Sequence, residues 1–113
     1  MKSLLIVGMM FVSAPAFAQD RHYEELTALS KAYQACLVEK ATQLGKGNTE
    51  PAEMVFLAAQ AECAAERGAI VAKAYGTYSR QMAADMVGGF TKAAEEGGKP
   101  DAMLALLKMR TAK

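Results

Sequence analysis

The chain is short of the side chains that carry most protein chemistry. It has no tryptophan and one histidine, His22, so a zinc site with two imidazoles cannot be assembled within one chain, and any serine or cysteine relay would depend on that single residue. The expectation is a protein that is not an enzyme, with no catalytic residue, no cofactor and no metal ligand assigned. Charge of one sign is also lacking, because 13 Lys and Arg stand against 12 Asp and Glu. That balance removes the electrostatic case for nucleic acid or anionic lipid as a partner. No segment alternates in the manner of a strand. No apolar run reaches the roughly 20 residues that cross a bilayer, so stable membrane insertion is not expected either.

The residues present begin with a leader. Lys2 is the only early charge, an apolar run follows from Leu4 to Val12, and Pro15 and Ala16-Phe17-Ala18 precede the first acidic residue. This is the plan of a cleavable signal peptide over 1–18: small residues at Ala16 and Ala18 suit a signal peptidase, and Pro15 is expected to end the apolar helix. An N-terminal anchor is the alternative, but the run is about half the length an anchor needs. Removing 1–18 takes one of the 13 basic residues, leaving 12 charges of each sign on one small domain, 19–113. The expected location is periplasmic or secreted.

Helical periodicity dominates the remainder. Tyr23, Leu26, Tyr33, Cys36 or Leu37, Ala41 and Leu44 form one stripe of an amphipathic helix that should stop at Gly45-Lys46-Gly47-Asn48. Thr49-Glu50-Pro51-Ala52-Glu53 restarts a helix, with Pro51 at its first position and acidic groups near its positive end. Phe56, Ala59, Cys63, Ile70 and Ala74 make the stripe of this second, alanine-rich helix, which is expected to run at least to Val71. Gly88-Gly89 and Gly97-Gly98-Lys99-Pro100 predict interruptions, with a short helix over Asp101 to Met109. The resulting fold class is all-α: an antiparallel helical hairpin plus one or two short C-terminal helices. A loosely ordered segment over 88–113 is the alternative for a tail with few large apolar side chains.

Cys36 and Cys63 are the only cysteines. Cys36 lies nine residues before Gly45 and Cys63 twelve after Pro51, distances along antiparallel helices that differ by only about 4 to 5 Å. Both lie on apolar stripes of a chain bound for an oxidising compartment, so a disulfide joining the two helices is the simplest reading. The competing readings are a redox-active pair, disfavoured because both residues are expected in mid-helix rather than at a helix start, and intermolecular bridges.

Three weaker features complete the reading. Met82 and Met86 share a helical face and could offer two thioethers to Cu(I), although methionine commonly fills cores. His22 would stand fourth after cleavage at Ala18, one place beyond the third position at which an N-terminal amine and histidine capture copper or nickel. Ala64, Gly68, Ala72 and Gly76 form a ridge of small residues that a second backbone could approach, either this chain's own C-terminal helix or another copy.

In order, Tyr33-x-x-Cys36, the helix start Glu50-Pro51-Ala52-Glu53, and Ala58-Ala59 followed by Cys63 and Glu66 resemble small exported bacterial proteins of unassigned function, built as two-cysteine helical hairpins behind a signal peptide. The likeness covers about Tyr33 to Ile70 and implies a fold and a compartment, not a catalytic residue. The expected role is binding or structural, with another envelope protein or a second copy as partner. Periplasmic copper handling and acid or stress chaperoning are the alternatives.

Overall fold

A computed structural model of the chain describes the backbone of residues 2–111 and the side chains of residues 21–111. The side chains of the expected leader, 1–18, therefore lie outside the described residues. Four helices follow one another: α1 (Lys2–Gly45), α2 (Ala52–Glu62), α3 (Ala64–Thr77) and α4 (Arg80–Thr111). The bounds of α1 pass through Pro15, so the proline does not end the helix where the sequence suggested. A proline removes one backbone bond and leaves the rest of the ladder intact.

The turn after α1 forms where the glycines predict it. Gly47 takes φ 69°, a left-handed conformation that is open to glycine at no steric cost. The Asn48 carboxamide oxygen then accepts the Glu50 amide at 2.7 Å, closing a small local turn. Pro51 stands one residue earlier than expected, as the cap preceding α2 (φ −55°, ψ 142°), with Glu53 in the first helical turn.

The chain then returns along α1. The Cys36–Cys63 disulfide and the ion pair of Glu25 with Lys73 tie α1 to the returning arm at two levels, and both pairs are nearly equidistant from Thr49. That symmetry defines an antiparallel hairpin. The arm is not one helix to Val71 and beyond: it breaks at Cys63 and again at Tyr78-Ser79. The first break is slight, because Cys63 N–H is shared between the carbonyls of Ala59 (3.0 Å) and Gln60 (3.3 Å) and Cys63 C=O still accepts Arg67 N–H at 3.1 Å. Bending there lets Val55, Phe56 and Ala59 before the staple, and Ile70 and Ala74 after it, all bury their side chains. At the second break Tyr78 is extended (φ −115°, ψ 167°), and Ser79 opens α4 by accepting Ala83 N–H at 2.7 Å on its carbonyl.

Helix α4 then runs parallel to α1. Ser30 Oγ donates to the Phe90 carbonyl at 2.8 Å, Tyr33 OH donates to the Glu95 carboxylate at 2.8 Å, and Gly98 and Leu106 lie against Gln34 and Gly45. Each pair is offset by nearly the same number of residues, which fixes the parallel register. The bundle is therefore up, down and up, with a kinked middle arm.

The all-α class and the stapled hairpin are as the sequence predicts; the C-terminal part is not. Neither glycine pair interrupts the chain, and one helix replaces the expected short pieces over 88–111. Glycine costs only about 1 kcal/mol in a helix interior, which packing can offset. Gly98 is buried, and a Cβ there would lie 3.3 Å from Gln34 Cγ and 3.5 Å from the Gln34 carbonyl oxygen. The small residue thus permits close approach of two helices. Pro100 and Glu96 are both exposed, so water can take the Glu96 carbonyl that the proline leaves without a partner.

Candidate functional site

Two places gather chemistry in this bundle. The first is the staple. Cys36 projects from the middle of α1 and is half-buried, whereas Cys63 is fully buried at the junction of α2 and α3. Their Cα atoms are 6.0 Å apart, within the span that a disulfide bridges. The two sulfurs are joined within one chain, so neither intermolecular bridges nor free thiols occur. The placement of Cys63 corrects one premise of the sequence reading: it is not in mid-helix but at the junction where α2 ends and α3 begins, so the two helix ends act on its sulfur with opposite sign. One turn further on, the half-buried Glu66 brings a carboxylate oxygen within 4.8 Å of both sulfurs.

The second place is a groove between α2 and α4. Glu53, Phe56, Leu57 and Gln60 line one side, Glu95, Glu96 and Lys99 the other. Lys99 and Glu53 form an exposed ion pair at 3.3 Å. The lining contains no serine, cysteine or histidine; its ionisable side chains are three carboxylates and Lys99. Its Phe56 side chain is buried, but Leu57 is 57 % exposed, and Met54 on the next face of α2 is 51 % exposed. On α4, Leu104 and Leu107 are 50 % and 59 % exposed. Of the three leucines in this part of α4 only Leu106 is buried, on the inward stripe that it shares with Ala83, Thr91, Ala94, Gly98 and Ala102.

Two side chains in the middle of α1 are shifted chiefly by the residues packed against them. Lys73 beside Glu25, through its hydrogen bond and its charge, holds that carboxyl below the ordinary value of 4.5, against a smaller opposing effect of burial. Burial of the Tyr33 phenol, reinforced by its hydrogen bond to Glu95, pushes its proton loss well above the ordinary value of 10.

The remaining sequence candidates separate. Met82 is half exposed, while Met86 packs against the core, so the two thioethers share a helix face but not an environment. His22 is half-buried, edge-on to Tyr78 with ring centroids 6.4 Å apart, and its Nδ1 is buried with no hydrogen-bond partner among the described residues. The ridge of Ala64, Gly68, Ala72 and Gly76 is exposed along its length, with no atom within 4 Å of a Cβ built at Gly68 or Gly76. The chain's own C-terminal helix therefore does not cover it. Sequence reasoning missed Ser79 as a helix start and the approach of Glu66 to the cysteines; both carried a signal, a serine before a helical run and a carboxylate three residues after Cys63. No protein-family model, no curated protein and no solved structure matches this chain.

Proposed function

We propose that this is an exported, non-enzymatic helical protein that acts by binding another protein, or by bracing an assembly of the cell envelope, through the outer faces of α2 and α4. The single observation that carries the reading is the exposure of large apolar side chains on two neighbouring helices. Met54 and Leu57, and Leu104 and Leu107, are pairs three residues apart on two neighbouring helices, and each exposes half or more of its surface. Large apolar side chains on exposed faces are the usual mark of a contact surface, and the groove beside Leu57 holds no serine, cysteine or histidine. Export rests on the leader at 1–18, in keeping with the exported two-cysteine hairpins that the chain resembles, and a disulfide suits an oxidising compartment.

A photo-crosslinking side chain placed at Leu57 or Leu107 in living cells tests the binding face. A discrete adduct of defined mass should form at those positions and not at the exposed Glu24 on α1. Absence of adducts at all positions, or a chemical activity of the purified protein that is lost on changing one polar residue, would refute the proposal. N-terminal sequencing of the exported protein should begin at Gln19.

A further inference from the structure

We propose that reduction of the Cys36–Cys63 bond converts the junction of α1, α2 and α3 into a site for one Zn²⁺ ion, held by the two thiolates and the Glu66 carboxylate. Two observations converge on this. The two Sγ atoms and a Glu66 carboxylate oxygen already lie within 4.8 Å of one another. A tetrahedral zinc with bonds of about 2.3 Å to sulfur and about 2.1 Å to oxygen needs its ligand atoms roughly 3.5 to 3.8 Å apart, so separation of the sulfurs and a small swing of one flexible carboxylate complete the set. The ligands also come from rigid elements: Cys36 from mid-α1, Cys63 from the end of α2, Glu66 from the first turn of α3.

The chemistry balances as follows. A dithiol reductant supplies two electrons and two protons to the Sγ–Sγ bond and is itself oxidised to a disulfide, leaving thiols at Cys36 and Cys63. Binding of Zn²⁺ breaks both S–H bonds, forms two Zn–S bonds and releases two protons to solvent. Glu66 contributes an oxygen through its carboxylate, and water occupies the fourth position on the exposed side of Glu66. Oxidation of the pair by a disulfide oxidant returns the protein to its stapled form and expels the ion. The junction is thus a cross-link in one redox state and a metal site in the other.

The inference does not rest on the binding face of α2 and α4, and its test is separate. The full exported protein is reduced with a phosphine, freed of reductant without oxygen, and titrated with Cd²⁺, a spectroscopic substitute for Zn²⁺. The ultraviolet sulfur-to-cadmium band should saturate at one ion per chain, with close to two protons released, and Zn²⁺ should compete it away. The oxidised protein should give no band. Glu66→Ala, which keeps both cysteines and can be purified in the stapled form, should after reduction keep the band but bind at least about tenfold more weakly. Lack of a band in the reduced protein, saturation at one ion per two chains, or a Glu66→Ala variant that binds as tightly as the parent would each overturn the assignment. Circular dichroism of the same reduced samples confirms that the comparison is between folded proteins.

Discussion

Cutting the staple should lower stability without dissolving the helices, and its size can be worked from the loop it closes. The bond spans 27 residues, for which the chain-entropy relation gives about 3.5 kcal/mol at 25 °C. Reduction leaves both sulfurs in place, so little packing is lost, and the loosened chain gains its freedom mainly in the unfolded state. For a domain of this size each kcal/mol moves the melting temperature by roughly 4 to 8 °C. Reduction should therefore lower Tm by about 15 to 25 °C. Replacing both cysteines by alanine should lower it further, because Cys63 is fully buried and removal of its sulfur leaves a small cavity. The assay is far-UV circular dichroism of the exported protein, melted with and without a phosphine. Helical signal at 25 °C should be nearly unchanged, since α1 and α4 are also joined by buried packing and by the Ser30 and Tyr33 hydrogen bonds. A fall in Tm below about 5 °C would show that the staple does not restrict the unfolded chain. Collapse of the helical signal at 25 °C would show that packing alone does not hold the bundle.

Gly45→Ala should cost about 1 to 3 kcal/mol, read as a lower urea midpoint, because the new Cβ would run into the Leu106 side chain; Gly88→Ala and Gly89→Ala, with nothing within 4 Å of the new carbon, should each gain about 0.5 to 1 kcal/mol. Tyr33 loses its proton at higher pH folded than unfolded, so its contribution is complete below the ordinary value near 10 and declines as pH rises above it; urea midpoints of Tyr33→Phe should fall less steeply on the alkaline side than those of the parent. Glu25 is shifted the opposite way, below 4.5, so its contribution is complete above that value and is lost as pH falls through the lower folded value. In Lys73→Met the Glu25 carboxyl should titrate closer to 4.5, as followed by NMR. Leu104→Gln with Leu107→Gln should change stability by less than about 1 kcal/mol in urea unfolding, since both leucines are half exposed and glutamine matches leucine in helix propensity, while the crosslinked adduct at Leu57 disappears.

The hairpin was legible because its signals are local and agree with one another. The glycines at 45 and 47, the Pro51 restart and two apolar stripes all specify the same turn, and the cysteines fall level across it. Helix α4 was not legible for the opposite reason. Its glycines and Pro100 carry a local breaker signal, while the compensation is distant: Gly98 against Gln34, Ser30 against the Phe90 carbonyl, Leu106 against Gly45. A one-dimensional reading sees the cost of a glycine and not the helix it lets approach. The kink at Cys63 was hidden likewise, since no residue around it disfavours a helix and the bend serves to keep two successive stripes in the interior. At the candidate site the staple could be read from spacing, whereas the exposed leucines could not, because the inward stripe of α4 is built largely of alanine and glycine with Leu106, and Leu104 and Leu107 fall off it.

The exposed leucines bear directly on function. Burying a leucine contributes about 1.5 to 3 kcal/mol, so a helix selected only for stability would turn Leu104 and Leu107 inward and leave its alanines to solvent. In helix α4 Ala83, Ala94, Gly98 and Ala102 lie inside with Leu106, while Met82, Leu104 and Leu107 lie outside. Close packing against α1 explains the small residues within, since larger ones would push the two helices apart. It does not explain large apolar residues without, for which polar side chains of equal helix propensity would serve the isolated bundle as well. The same excess appears on α2, where Met54 and Leu57 face outward beside the groove that α4 completes. Two adjacent helices thus carry apolar area that the fold itself does not use. A partner that buries this area would recover the hydrophobic stabilisation that the monomer forgoes, and the stapled hairpin would present both faces to it at a fixed spacing.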